Sequence, residues 1–563
     1  MKLVFFFKKK LIFLICLLLV ILVALPLFRK GFFSYHDIQH LARLFDLDLA
    51  LKNGQFPVRW VQNLGFGYGY PLFVFYPPLI YYLSEIFHLV GFSFINSFKI
   101  VLFSGFALST FFIYFLVKDL FGKKEAVLST ALYLFLPYRA VTIYVRGAMA
   151  EFYSFVWLPA IFWALVRFDK TLKKKYLLLA SLFFGFLILS HSLIALPFCL
   201  FLFPFLGFLL YKNKFKNWKS LLGFLLLSFG LSAFFWLPSL IEKKYTIVDE
   251  ILTQELASYK IHFVYPEQLW NSLWGYGGSA AGELDGISFK IGKIHIILAL
   301  FSIFMILIQF VRKKKNNIYL YPLIAFLIFS CFLTLEVSRF FWNNVKPLWY
   351  LQFPWRFLTF IGFFISVIAS YSLYWIKSKK IQDLFLFIIL ILIVFFNLKL
   401  FKPQFYFPDK KDEDFVNQQR IRWEVSRSSF EYIPKGVELK LGNKGTSIPN
   451  IDSKRISTSI GQIIKGDGNF NILLDKPQKK IIQIQALTEL SFRFNNFNFH
   501  GWQAKIDGQK VSIFDDNELK LITVNVPKGN HEVEIFYQNY LIVFANIISL
   551  MTLGVFIFLL WKK

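Results

Sequence analysis

Lys8-Lys9-Lys10 is followed by LIFLICLLLVILVALPLF, residues 11–28, an uninterrupted apolar run without a charge. A helix of about 18–20 apolar residues spans a hydrocarbon core of roughly 30 Å, and a water-soluble core needs no such run. The lysines before it also set a direction, because basic residues collect at the cytoplasmic ends of spans. The run is long for the apolar part of a signal peptide, and no small-x-small cleavage site follows it. It reads as an uncleaved first helix.

The same alternation of apolar run and basic cluster continues along the chain. Of its 563 residues 56% are hydrophobic and 20% aromatic, with a mean hydropathy of +0.54. Soluble domains lie nearer to roughly 45–50% apolar. A net charge of +28 suggests a polyanion partner until its placement is considered. Lys123-Lys124, Lys173 to Lys175, Lys212 to Lys219, Arg312 to Lys315, Lys377 to Lys380 and Lys562-Lys563 all stand at the ends of apolar runs. Nothing gathers them on one soluble face, so they read as the positive-inside pattern, and no nucleic acid is expected as a partner. Cys16, Cys199 and Cys331 each lie inside an apolar run, where a disulfide framework is not expected.

With Lys8 to Lys10 inside, the chain threads as a polytopic α-helical membrane protein of about twelve transmembrane helices. The expected spans are 11–28, 97–117, 125–143, 152–168, 176–191, 193–211, 219–237, 293–311, 318–336, 355–376, 381–400 and 540–560. The stretch 72–92 holds Pro71, Pro77, Pro78, Glu85 and His88 in or beside it and reads as juxtamembrane. Both termini and every basic cluster then fall on the cytoplasmic side. The long segments 29–96, 238–292 and 401–539 fall outside.

Segment 401–539 is polar and shows strand-like alternation, as from Ile481 to Ile484. Trp502 to Ile506, Asp507-Gly508, then Gln509 to Ile513 reads as a hairpin. Leu519 to Val526, Pro527 to Asn530, then His531 to Tyr537 reads the same way. The expected layout is a transmembrane domain over 1–400 with outer loops, an extracytoplasmic β-sandwich or jelly roll over 401–539, and a closing helix over 540–563.

Candidate chemistry concentrates at the outer boundary. Asp37, His40 and Arg43 recur at i, i+3 and i+6, and are expected on one helix face. A carboxylate there can act as general base toward a hydroxyl, while His36 and His40, at i and i+4, leave a metal open. A solvated juxtamembrane face explains the same residues equally well. Arg146 and Glu151 lie in a short outer turn; the planar guanidinium suits phosphate and the carboxylate can orient it. His191 stands where one helix ends and the next begins, and Arg356 follows Trp355 at another helix start. Snorkelling and packing are the competing readings for these. No Walker loop, dinucleotide fingerprint, zinc spacing or nucleophile elbow is present. Gly65-Phe66-Gly67-Tyr68-Gly69 reads as a flexible aromatic loop.

Taken in order, these pieces resemble a known family. His36-Asp37 with His40, Asn53 to Trp60, Tyr76-Pro77-Pro78-Leu79, Tyr144 to Glu151, Leu189-Ser190-His191 and Gln352 to Arg356 are similar to the bacterial pyruvoyl-tetrahydropterin-synthase-related membrane proteins. Gly501 to Gly508 resembles the related YfhO-type proteins. Both are grouped with GT-C-type glycosyltransferases, so the resemblance implies a GT-C-like transmembrane domain. It further implies a bacterial plasma-membrane transferase that moves a sugar from a polyprenyl-phosphate donor to an extracytoplasmic glycan or glycoprotein. The catalytic carboxylate implied is Asp37, with Glu151 beside it, and the substrate-binding set is His36, His40, Arg43, Arg146, His191 and Arg356. Many members carry two adjacent acidic residues where this chain has His36-Asp37, which leaves a divalent metal open. No other cofactor is implied; the partners are membrane lipid, the lipid-linked sugar and the acceptor. The rival readings are a flippase or transporter of a lipid-linked glycan, and a non-enzymatic envelope assembly protein. If the protein is a transferase, Asp37, Arg146, His191 and Arg356 converge on one cavity.

Overall fold

The structure, a computed structural model, describes residues 2–253, 257–314, 316–442 and 447–562. Lys315 and Lys563, the last members of two basic clusters, lie outside the described residues, as do the side chains of Lys8 and Lys9.

Among the described residues, nine helices are long and apolar enough to cross a membrane. A bent pair, Lys123–Leu134 with Pro137–Arg146, raises the number to ten. Expected spans 176–191 and 318–336 coincide with Lys174–Ser190, of 17 residues, and Leu320–Thr334, of 15. At about 1.5 Å per residue such helices reach roughly 22–26 Å, short of a 30 Å core, which is why the expected twelve reduces to nine or ten. Leu79–Leu89 is a helix of 11 residues that follows three prolines, and it does not span.

Met149–Thr171 and Pro354–Trp375 form the centre of the bundle, each 94% buried along its apolar window. Lys379–Leu400 and Tyr540–Trp561 lie at the periphery, 11% and 17% buried, with apolar side chains turned outward as lipid requires.

The bend after Leu134 has a local cause. Pro137 has no N–H to give, and Leu136 before it is extended at ψ 126°. The chain restarts over Pro137–Ala140, widens to a π-helical turn over Val141–Arg146 and stops at Gly147 in the left-handed region, φ +70°. A Cβ on Gly147 would lie 2.3 Å from the Tyr35 ring, so only glycine makes this corner.

Among the described residues, the C-terminal part carries a two-stranded sheet, Leu439–Leu441 with Ser447–Pro449, and two larger antiparallel sheets. One has five strands in the order Gln509–Val511, Trp502–Ile506, Gly529–Tyr537, Lys479–Ala486, Gly468–Lys476. The other has three, in the order Leu521–Val526, Leu490–Phe497, Gly461–Lys465. Ile482, Ile484, Val533 and Ile535 of the first share one core with Phe492, Phe494 and Val524 of the second. Phe470 and Phe492 meet edge to face at 4.9 Å across the gap.

The first expected hairpin forms, with Gln509 opposite Ile506 across Asp507 and Gly508, both at positive φ. The second does not. Leu521–Val526 pairs with Leu490–Phe497, while Gly529–Tyr537 pairs with Lys479–Ala486 and Trp502–Ile506. Pro527 interrupts the ladder and Gly529, at φ 137°, turns the chain from one sheet to the other.

The sheets are anchored to the bundle. Trp60 packs edge-on against Trp502 at 5.2 Å, and Phe32–Phe33 pairs with Tyr406–Phe407. The Gly65 to Gly69 stretch, expected to be flexible, is packed: Phe66 and Tyr68 are buried, and Tyr68 Oη donates to the Arg455 carbonyl.

Candidate functional site

A cavity of about 820 Å³ lies among the helix ends at the sheet-bearing end of the bundle. His36, Asp37, Arg43, Arg146, Glu151, His191 and Arg356 all line it, and His40 does not.

Asp37 is not on a helix. The helix of the first loop begins at His40 and runs to Lys52. Before it the chain bends and turns, with Ile38 N–H on His36 O (3.0 Å), and is tied down by two further backbone bonds, His36 N–H to Val145 O (3.1 Å) and Asp37 N–H to Arg146 O (3.0 Å). The expected i, i+3, i+6 face therefore breaks. Asp37 and Arg43 reach the cavity from different elements. His40 turns away: it is 1% exposed, bonded through Nδ1 to Tyr81 Oη (2.8 Å) and stacked on Phe98. His36 Nε2 bonds the Tyr276 carbonyl at 2.8 Å, so the two histidines have separate partners.

The Gly147 corner puts Arg146 and Glu151 on facing turns. Arg146 Nη1 donates to Glu151 Oε2 at 2.8 Å, and its guanidinium lies 4.4 Å above the Trp355 ring. Arg356 Nε approaches the same oxygen at 3.7 Å, and its Nη1 donates to the Leu351 carbonyl. Glu151 Oε1 accepts from Tyr138 Oη (2.6 Å) and Thr359 Oγ1 (3.2 Å). Fully buried, with both oxygens engaged, Glu151 holds the two arginines.

Asp37 is the opposite case. Among the described residues no side chain donates a hydrogen bond to its carboxylate. Burial pushes its pKa up, opposed by Arg146, Arg43, Arg356 and His36. It is a carboxylate kept basic in a cationic setting.

Sequence reasoning missed several lining residues. Lys243 bonds Tyr350 Oη and lies 3.4 Å from Asp249. Glu431 and Tyr432 come from the stretch after residue 401, which folds back onto the bundle through a short turn over Ser426–Ser428. Only the ionisable character of Lys243 and Glu431 beside aromatics marked them.

Among the described residues no three His, Cys, Asp or Glu side chains stand where they could hold a metal ion. Three guanidinium groups stand around Asp37 with the His36 imidazole and the Glu431 carboxylate, and so cationic a setting does not fit a divalent cation.

Residues 73–403, more than half of the chain, match the family model described as 6-pyruvoyl-tetrahydropterin synthase related domain; membrane protein. The chain belongs to this family. With its apolar helices, this pyruvoyl-tetrahydropterin-synthase-related protein is a multi-pass membrane protein. No curated protein matches it. Several solved structures are remotely similar. The oligosaccharyltransferase of Archaeoglobus fulgidus in the apo form is 14% identical with a TM-score of 0.45. The Archaeoglobus fulgidus oligosaccharyltransferase AglB, in complex with an inhibitory peptide and a dolichol-phosphate, is 14% identical with a TM-score of 0.44. In both, the match covers 73% of this chain and 56% of the other, so the chain spans little more than half the length of these structures. Scores at this level describe a remote likeness and carry no function across.

Proposed function

We propose that this family member is a membrane glycosyltransferase that moves a sugar from a polyprenyl-phosphate donor to an acceptor outside the cytoplasm. One observation carries the reading: a single cavity joins an unpaired carboxylate, a buried arginine pair and an apolar groove. Leu193, Leu196 and Cys199 of one helix and Phe229, Trp236 and Leu240 of another line this apolar part of the cavity. Their helices, Ser192–Lys212 and Trp218–Glu242, pack only lightly on each other. A polyprenyl tail fits between them, with its phosphate at Arg146 and Arg356.

The transfer then balances simply. Asp37 takes the proton of the acceptor hydroxyl as that oxygen bonds to the anomeric carbon. The bond from that carbon to the phosphate oxygen breaks, and the phosphate leaves with the electron pair, its charge met by the arginines. Glu151 is a positioning residue in this scheme. Residues 401–539 form an extracytoplasmic domain, and the chain lies in the bacterial plasma membrane.

The test is purified protein with a panel of polyprenyl-phosphate sugars. Wild type yields product with at least one donor. Asp37→Asn keeps shape and donor binding and loses about 10²–10⁴-fold in rate, the usual contribution of a general base. Donor that changes leaflet without any product would instead make the protein a flippase.

A further inference from the structure

A second cluster in the same cavity is joined to the Arg146–Glu151–Arg356 set by no hydrogen bond or ion pair among the described residues. It is built from Gln39, Arg43, Tyr76, Ser428, Glu431 and Tyr432, all of which line the cavity. We infer that this cluster is the acceptor subsite and that it takes a carbohydrate, with Glu431 and Arg43 binding sugar hydroxyls against the Tyr76 and Tyr432 rings. The inference rests on the transferase reading and goes further, by naming the acceptor's chemistry.

The geometry suits a polyol. Arg43 is held on the helix His40–Lys52, donating to Ser429 Oγ at 2.8 Å, with its guanidinium 3.9 Å above the Tyr76 ring. Glu431 Oε1 lies 3.9 Å from Arg43 Nη2 and accepts from Ser429 Oγ at 3.2 Å. Among the described residues no other side chain donates a hydrogen bond to the carboxylate. The Glu431 side chain is 26% exposed while that of Arg43 is 5% exposed, so the carboxylate is the part offered to a ligand. A carboxylate accepting from one hydroxyl beside a guanidinium donating to the next matches vicinal hydroxyls, which both give and receive hydrogen bonds. Tyr432 stacks on Phe75 at 5.1 Å and Tyr76 lies under Arg43, so both rings are fixed, half-buried platforms for the C–H face of a pyranose.

Placement agrees. The Asp37 carboxylate is within electrostatic reach of Arg43 in this cluster and of Arg146 and Arg356. The proton acceptor thus shares one cavity with the proposed phosphate clamp and with this cluster, its backbone N–H on the Arg146 carbonyl at 3.0 Å. An extended peptide is typically held by backbone bonds to an open strand edge. This wall is made of side chains.

The experiment uses full-length protein in nanodiscs. Binding of mono- to tetrasaccharides of common hexoses is measured without donor, and acceptor and donor KM are measured with it. A wild-type protein that binds a saccharide supports the inference if Glu431→Gln and Tyr76→Leu each weaken that binding, and raise acceptor KM, about ten- to a hundredfold, the worth of a charged hydrogen bond. Donor KM is expected to stay put, and Glu431→Asp to recover part of the loss. Glu438→Gln, further along the same segment and outside the cavity, serves as control. Saccharide binding unmoved by both variants overturns the subsite, as does competition at this wall by a peptide acceptor. Saccharide binding that depends on Glu431, with no transfer from any donor, keeps the subsite and sinks the transferase reading. Transfer whose acceptor KM ignores Glu431 does the reverse.

Discussion

Glu151 illustrates how one buried carboxylate organises a cationic site. Two guanidinium groups cannot stay close in a low-dielectric interior without an anion between them, and Glu151 supplies it. Glu151→Gln is therefore expected to cost about 3–5 kcal/mol, as loss of one partner of a buried pair does. Because a bound phosphate replaces the missing charge, the variant should regain more thermal stability from polyprenyl phosphate than wild type does. A variant that keeps its stability and loses all transfer would move the base from Asp37 to Glu151. Asp37 has its own signature in pH. It acts ionised, and burial raises its pKa, so transfer should fall as pH drops through a value above the ordinary carboxylate range. Arg43, Arg146, Arg356 and His36 all pull that value down, and the nearby Glu431 also interacts with it. Arg43→Gln removes one opposing charge, so the acid limb of the kcat/KM profile should move to higher pH. A limb that does not move would show that another group titrates there.

At the scale of elements, the site depends on one corner. Gly147 ends the π-helical turn, and the bonds from residues 36 and 37 to 145 and 146 fix Asp37 beside it. Gly147→Ala places a methyl group 2.3 Å from the Tyr35 ring and forces a left-handed φ on a residue with a Cβ. It should lower the melting temperature and transfer together. Gly207→Ala, inside Ser192–Lys212 with open space around its Cβ, should be neutral or stabilising by up to about 1 kcal/mol. Equal behaviour of the two variants would refute the role of the corner. The same corner explains what sequence could and could not tell. Asp37, Arg146, Glu151, His191 and Arg356 were legible because ionisable residues at the ends of apolar runs stand out against lipid. His40 was misplaced because helical spacing was counted through residues 36–39, which form a bend and a tight turn ahead of the helix, with His36 and Asp37 tied to Val145 and Arg146. The Leu519 to Tyr537 stretch showed two strands, but alternation marks a strand and not its partner. Glu431 was invisible as a site residue because only the completed fold brings it back to Arg43.

For the whole molecule, the proposal requires that the sheet-bearing end and the basic links lie on opposite sides of the membrane. The charge distribution argues for it. Lys123-Lys124, Lys173 to Lys175 and Arg312 to Lys314 border helices at the end away from the cavity, and short basic links remain in the cytoplasm. In the proposed topology the cavity and both larger sheets face the compartment outside the cytoplasm. Asp516 is exposed in the sheet region and Lys314 is exposed in the link after Lys293–Val311, so a cysteine at either position is reachable by solvent. Cys16, Cys199 and Cys331 are unpaired and part-buried, and are replaced by alanine first to clear the background. In intact cells a membrane-impermeant maleimide should then label Asp516→Cys and leave Lys314→Cys untouched, while permeabilised cells should label both. Labelling of Lys314→Cys alone in intact cells would invert the molecule and put Asp37 in the cytoplasm. Nucleotide sugars are at hand in that compartment, and the case for a polyprenyl-phosphate donor would fall with the topology.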